Sequence, residues 1–297
     1  MPHPPLTARP APDYLRLAEA LGAVVAAEAT VSGGYTAATR LRLTLCDGRT
    51  LFAKIATSDE TEGWLQQEWR VYQHLRGAFM PQALAFVPME DGFHALLVED
   101  LSRCAWPPPW SDGRVQQVLL TLDAVHASRF SPDVPRLRDD TTLTHAWEHI
   151  ARAAAHWDEQ CWAPQSWFTR NAAQVATLDA VAALDGDALL HADVRSDNLC
   201  FRGDQCVLFD WSSACRGNPR ADLAAWMPSL IAEGGRLPED IIAACLPQIV
   251  VLAGYFLRQA VQPAPAHAPT LRDFQRQQGL TLLPWVERWL DQRQANR

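Results

Sequence analysis

The chain has 297 residues, of which 48% are hydrophobic and 20% charged, a balance that permits a sizeable buried core in one large or two modest domains and excludes extensive disorder. With 34 acidic against 26 basic side chains the formal net charge is −8, and the basic residues form no stripe, which argues against nucleic acid as a partner. The seven cysteines are odd in number and contain no CxxC pair, so they read as reduced, mostly packed thiols of a cytosolic protein.

Residues 1–12 are rich in proline and read as a loose leader without the positive start and apolar stretch of a secretion signal, so a cytoplasmic location is expected. A helix is predicted from Asp13 to about Ala27. A strand–turn–strand follows: Ala29–Ser32, the pair Gly33-Gly34, and the alternating β-branched and apolar run Thr39–Leu45. Asp47-Gly48 is a hairpin turn, and Thr50–Ala56 reads as a third strand. From Glu62 to Leu75 the pattern turns helical, with Leu65, Trp69, Tyr72 and Leu75 on one face. A second hairpin runs Ala83–Pro88, turn Glu90-Asp91-Gly92, then Phe93–Val98.

The stretch Trp106-Pro107-Pro108-Pro109-Trp110 marks a change of style, and beyond it the chain is almost wholly helical apart from a β-like patch at Gln205–Trp211. The expected fold is therefore α+β and bilobal. Residues 1–100 would form a β-rich lobe, a five-stranded antiparallel sheet with one key helix. Residues 101–297 would form a larger helical lobe. The longest apolar run, Ile249 to Leu257, falls short of the roughly 20 residues of a membrane span, so no membrane partner is expected.

Of the 26 basic residues 25 are arginine and one, Lys54, is lysine. Codon bias with one accidental survivor would explain the count. A functional reading is that a compact ammonium on a flexible stem suits a point contact with phosphate oxygens, where a planar guanidinium fits badly.

Within Leu189–Asp222 lie His191-x-Asp193, Asn198 five residues later and Asp210 twelve residues after that. The turn Arg202-Gly203-Asp204 separates Leu199–Phe201 from Cys206–Phe209, and a hairpin there would bring Asn198 and Asp210 to one end, beside Asp193. Phosphoryl transfer needs such a set. One carboxylate orients the attacking hydroxyl and accepts its proton, while an amide oxygen and a carboxylate hold Mg²⁺ on the phosphates.

The segment resembles the catalytic loop and metal-binding strand of the aminoglycoside phosphotransferase and choline kinase-like family, a branch of the protein-kinase-like fold. The resemblance implies Asp193 as catalytic base, Asn198 and Asp210 as Mg²⁺ ligands, His191 as a brace, and Asp222 as a structural aspartate tying the loop to the next helix. It further implies Lys54 on the phosphates of ATP with Glu68 as its carboxylate partner. The loop Val31–Tyr35, with Ser32, Gly33 and Gly34, would cover the phosphates, and Leu96–Leu101, with Glu99 and Leu101, would be the adenine-binding hinge. Leu122-x-x-x-His126-Ala127 resembles the helix that follows it. The likeness spans roughly residues 29–230 in the right order. Departures are the adjacent rather than spaced glycines, Trp211-Ser212 after Asp210, and Asp197 inside the loop where many relatives carry a small residue; Asp197 is left outside the set that touches the metal.

The function so implied is ATP-dependent, Mg²⁺-requiring transfer of the γ-phosphate to a hydroxyl of a small molecule. A protein kinase is disfavoured by the eleven residues between Asp210 and Asp222, too few for an activation segment. A pseudokinase-like nucleotide-binding module is disfavoured by the completeness of the set. No Gly-Lys-Ser/Thr or G-x-S-x-G motif exists, and Glu148 is misplaced for a metal site on His145 and His149. The ten tryptophans beyond residue 100 read either as helix packing or as the wall of an aromatic acceptor pocket. The oligomeric state is left open.

Overall fold

A computed structural model describes residues 14–130, 133–160 and 162–295. The Pro-rich leader, Asp13 and Cys161 lie outside them. The first half contains helix α1 (Tyr14–Leu21) and strands β1 (Val25–Thr30), β2 (Thr39–Leu45) and β3 (Thr50–Ile55), followed by helix α2 (Asp59–His74) and strands β4 (Ala83–Pro88) and β5 (His94–Glu99). The five strands form one antiparallel sheet in the order β1-β2-β3-β5-β4. The helix expected to reach Ala27 stops six residues earlier. Gly22 takes a left-handed φ of +64° there, and Val25 onward pairs with β2. The first strand is correspondingly Val25–Thr30 rather than Ala29–Ser32.

Period-two alternation in β3 decides where the site lies. Leu51, Ala53 and Ile55 face the core closed by Leu17 of α1, together with Leu41, Leu43 and Leu45 of β2. Phe52 and Lys54 therefore face the opposite side, toward the rest of the molecule. Helix α2 begins with a capping box in which the Ser58 hydroxyl accepts from the Thr61 amide and the Thr61 hydroxyl accepts from the Ser58 amide. Its buried Leu65, Glu68, Val71 and Tyr72 lie at helical spacing on the face turned to the same side.

The second half carries α3 (Asp112–His126), α4 (Thr141–Thr144), α5 (Ala146–Arg152), α6 (Ala154–Glu159), α7 (Trp167–Val175) and α8 (Ala180–Leu184). Four short strands follow, β6 (Ala188–Leu190), β7 (Leu199–Arg202), β8 (Gln205–Leu208) and β9 (Cys215–Gly217). The chain then runs through α9 (Arg220–Ala232), α10 (Glu239–Ala260) and α11 (Leu271–Ala295). β7 and β8 form the predicted hairpin and β6 pairs with β9. The β-like patch ends at Leu208 rather than Trp211, because Asp210 adopts a left-handed φ of 65° and residues 211–213 coil into a 3₁₀ turn.

α10 exceeds the apolar run expected for it. Its 22 residues, with hydropathy 1.9, are long and apolar enough to cross a membrane, but 61% of that window is buried where α10 packs along α9 and α11. Trp147, Trp157, Trp167, Trp226 and Trp289 are buried in the same core, so packing accounts for these tryptophans. Cys200, Cys206, Cys215 and Cys245 are buried free thiols, as expected.

Close packing beside α10 is testable at Gly254, where a Cβ would lie 2.5 Å from Trp147 Nε1, the donor to the Val250 carbonyl. Gly254→Ala is expected to destabilise the fold by about 1–3 kcal/mol. Gly63→Ala, in helix α2 with nothing within 4 Å of the added carbon, is expected to stabilise it by about 0.5–1 kcal/mol. Urea denaturation midpoints read both.

Candidate active site

A cleft of about 640 Å³ lies between the sheet and the helical half, and every residue expected in the site lines it: Ser32, Gly33, Gly34, Lys54, Glu68, Glu99, Leu101, Asp193, Asn198 and Asp210. At its centre Lys54 Nζ lies 2.8 Å from Glu68 Oε2 and 2.8 Å from Asp210 Oδ1. Burial alone would favour the neutral amine, but the two carboxylates outweigh it and raise the Lys54 pKa, so the ammonium is held. Against the same desolvation, Lys54 and the Ser212 hydroxyl hold Asp210 at about 2.

The segment from His191 to Asn198 is fastened from below. Asp222, fully buried in the first turn of α9, accepts the amides of His191 (3.0 Å) and Ala192 (2.7 Å), and His126 Nε2 at 2.9 Å. Ala192 has a left-handed φ of 61°, a conformation that L residues hold only under such constraint. His191 is buried, and burial lowers its pKa, leaving a neutral ring. Its Nδ1 accepts the Asp193 amide at 3.3 Å, so Nε2 carries the proton and donates to the Phe209 carbonyl at 2.9 Å. The ring thereby ties Asp193 to the strand end that carries Asp210. A further tie is the Ser229 hydroxyl of α9, which accepts the Ser196 amide at 3.2 Å.

Asn198 Nδ2 donates to both the Asp193 carbonyl and Asp193 Oδ2 at 2.9 Å, which commits the nitrogen and leaves the amide oxygen as the atom of that side chain able to meet a cation. Desolvation within the cleft raises Asp193 to about 6; Arg195 and the Asn198 hydrogen bond oppose the shift, while Asp210 and Asp197 add to it. A carboxyl so placed is mostly ionised at neutral pH yet more basic than an exposed aspartate.

Among the described residues no three His, Cys, Asp or Glu side chains gather into a metal cluster, and the exposed His145 instead meets Glu148 at 3.2 Å. The residues present do fit a hard divalent cation. Asn198 and Asp210 offer two oxygen-bearing side chains at one end of the β7–β8 hairpin, and Asp210 keeps Oδ2 clear of its bonds to Lys54 and Ser212, both of which fall on Oδ1. Lys54 is shared between Glu68 and Asp210 while Asp193 lies against Arg195, and Asp210 still contributes to the upward shift of Asp193, a repulsion that a cation would relieve.

Sequence reasoning passed over several residues. Arg195 pairs with both oxygens of Asp197 (2.9 and 3.2 Å) and reaches Asp193 Oδ1 at 3.5 Å, so the extra loop acid is ion-paired rather than free. The Arg195 guanidinium also lies over the rings of Tyr35 (5.7 Å) and Phe274 (5.4 Å), which meet at 4.9 Å. The tip of the glycine loop thus touches α11. That loop needs its glycines: Gly34 has φ +75°, and a Cβ there would stand 2.7 Å from Arg40 Nη2. At the hinge the Glu99 carboxylate is held by Arg202 at 2.7 Å and the Asp100 carboxylate by Arg42 at 2.9 Å, so neither acid is a free ligand. No motif marks these arginines, because the chain uses arginine everywhere.

Comparisons with known proteins bear on the family and the fold. A family model described as the phosphotransferase enzyme family matches residues 29–263. Comparison with curated proteins returns no match. A thermostable mutant of an aminoglycoside phosphotransferase, solved as a ternary complex with ADP and hygromycin B, is 16% identical with a TM-score of 0.60, the match covering 92% of this chain and 98% of that one. A type I macrolide 2′-phosphotransferase is 16% identical at 0.53, covering 88% and 94%. A choline/ethanolamine kinase family protein from Mesorhizobium loti is 14% identical at 0.52, covering 86% and 92%. At these identities the likeness is one of fold.

Asp222→Ala would strand the buried amide of His191, the part-buried amide of Ala192 and the His126 N–H. It is expected to lower stability by about 3 kcal/mol, read as a fall in the urea midpoint.

Proposed function

The chain belongs to the phosphotransferase enzyme family, and on that footing we propose that it transfers the γ-phosphate of ATP to a hydroxyl of a small molecule. The observation that carries this reading is the convergence of Lys54, Glu68, Asp210, Asn198 and Asp193, drawn from four separate stretches of chain, on one cleft. A protein-kinase reading gains no support, because the residues between Asp210 and Asp222 form a 3₁₀ turn, β9 and the start of α9.

In the proposed mechanism Lys54 places its ammonium on the phosphates and Glu68 keeps that ammonium from swinging away. Asn198 and Asp210 hold Mg²⁺, which when bound neutralises charge on the phosphates. Asp193 orients the acceptor hydroxyl and takes its proton, and its raised pKa suits that task. His191 keeps the loop carrying Asp193 at a fixed distance from Asp210 without taking part in proton transfer. Arg195 moderates Asp193 and sits at the acceptor side of the loop. Buried free thiols accord with a reducing cytoplasmic location, where ATP is abundant. The acceptor is a hydroxyl-bearing small molecule, a reading supported by the aminoglycoside phosphotransferase solved with ADP and hygromycin B together.

ADP release, measured over a panel of aminoglycosides, macrolides, amino alcohols and sugars, identifies the acceptor. With it in hand, Asp193→Asn is expected to lower kcat by about 10²–10⁴-fold with little change in the affinity for Mg-ADP; turnover at the wild-type rate would refute the assigned base. Lys54→Arg keeps the charge but not the point geometry. It is expected to lower kcat/KM for ATP on the order of tenfold or more, and wild-type kinetics in that variant would remove the phosphate role.

A further inference from the structure

Trp106 stands apart from the buried tryptophans of the helical half: it is 41% exposed, yet it lines the cleft. Its presentation is built from both sides. The residue before it is pinned to β7, where the Ala105 amide donates to the Phe201 carbonyl at 2.9 Å and the Phe201 amide returns a bond at 2.8 Å. After the intervening prolines, Trp110 is anchored by its Nε1 donating to Glu233 at 2.8 Å and by edge contacts with Phe201 (6.2 Å) and Trp226 (5.3 Å). A short segment held at each end thus keeps an indole at the cleft rim, where burial does not explain it.

What the indole faces is set by its neighbour. The Trp106 ring meets Phe209 edge to face, centroids 5.4 Å apart, and Phe209 directly precedes Asp210. Besides the charged groups, the cleft is lined by Phe52, Val98, Leu101, Phe209 and Trp106, and the hinge acids Glu99 and Asp100 among them are paired with arginines. A nucleotide with its phosphates at Lys54 would meet these apolar side chains with its nucleoside. We infer that Trp106 packs against the nucleoside of the bound nucleotide and helps to hold it, an assignment that rests on the phosphotransferase reading above.

The test compares Mg-ADP with inorganic tripolyphosphate, a ligand with phosphates and no nucleoside, on the full chain. W106A is expected to weaken Mg-ADP binding and raise KM for ATP about three- to tenfold, with kcat nearly unchanged. Tripolyphosphate should compete with ATP equally well in wild type and W106A. W106F should recover affinity relative to W106A, and the ADP-induced change in tryptophan emission expected of the wild type should be smaller in W106F. Equal Mg-ADP affinity in W106A and wild type overturns the assignment alone, as does weakening of tripolyphosphate to the same degree as ADP. A wild-type chain that binds tripolyphosphate but not Mg-ADP overturns the assignment and the ATP reading together.

Discussion

Everything in the cleft is arranged around one buried ammonium shared between two carboxylates that arrive from different parts of the chain. Lys54 comes from β3, Glu68 from α2 and Asp210 from the end of β8, and the sheet meets the helical half through this triad. Removing charges from water carries a penalty that only close pairing offsets, and truncating one member of such a group leaves the others uncompensated, at about 3–5 kcal/mol. An arrangement this exacting ties two halves of the molecule to one geometry.

The second constraint is the fastening of the loop that carries Asp193 and Asn198. Two residues with left-handed backbone, Ala192 and Asp210, flank the site, and each is held by its surroundings. Ala192 is held by the buried Asp222 carboxylate, whose two oxygens satisfy successive amides. Asp210 is held by the salt bridge to Lys54 and by the neighbouring Phe209 carbonyl, which receives the proton of a neutral His191. The histidine thus works through its tautomer: one nitrogen faces the loop and the other the strand end. Local strain concentrated beside the proposed reacting groups fixes their separation without any rigidity of the cleft as a whole.

Aromatic residues divide between two tasks. Most tryptophans fill the helical core, where their area stabilises packing, and the hydrogen bond of Trp147 to Val250 anchors α5 to α10. At the cleft the aromatics take other roles: Tyr35 and Phe274 cover Arg195 on the side of Asp193, and Trp106 meets Phe209 edge to face. The cleft therefore offers two kinds of lining, charged groups for phosphate chemistry and apolar ones suited to a planar ring.

Much of this was legible in the chain itself. Alternating hydrophobicity and Asp47-Gly48 located β2 and β3 to within a residue, and helical spacing located α2, because period and turn chemistry are local properties. The spacing of His191, Asp193, Asn198 and Asp210 about a hairpin turn brought those side chains to one place for the same reason, and the solitary lysine singled out its own position. Other features were decided only by tertiary contact. The first helix ended early because β1 could pair with β2, and Asp197 was paired with Arg195. Glu99 and Asp100 were taken up by Arg202 and Arg42, and Trp106 was left partly exposed at the cleft. Such pairings join residues distant in sequence or hang on side-chain direction, and in a chain where nearly every cation is arginine no local pattern distinguishes the arginine that matters.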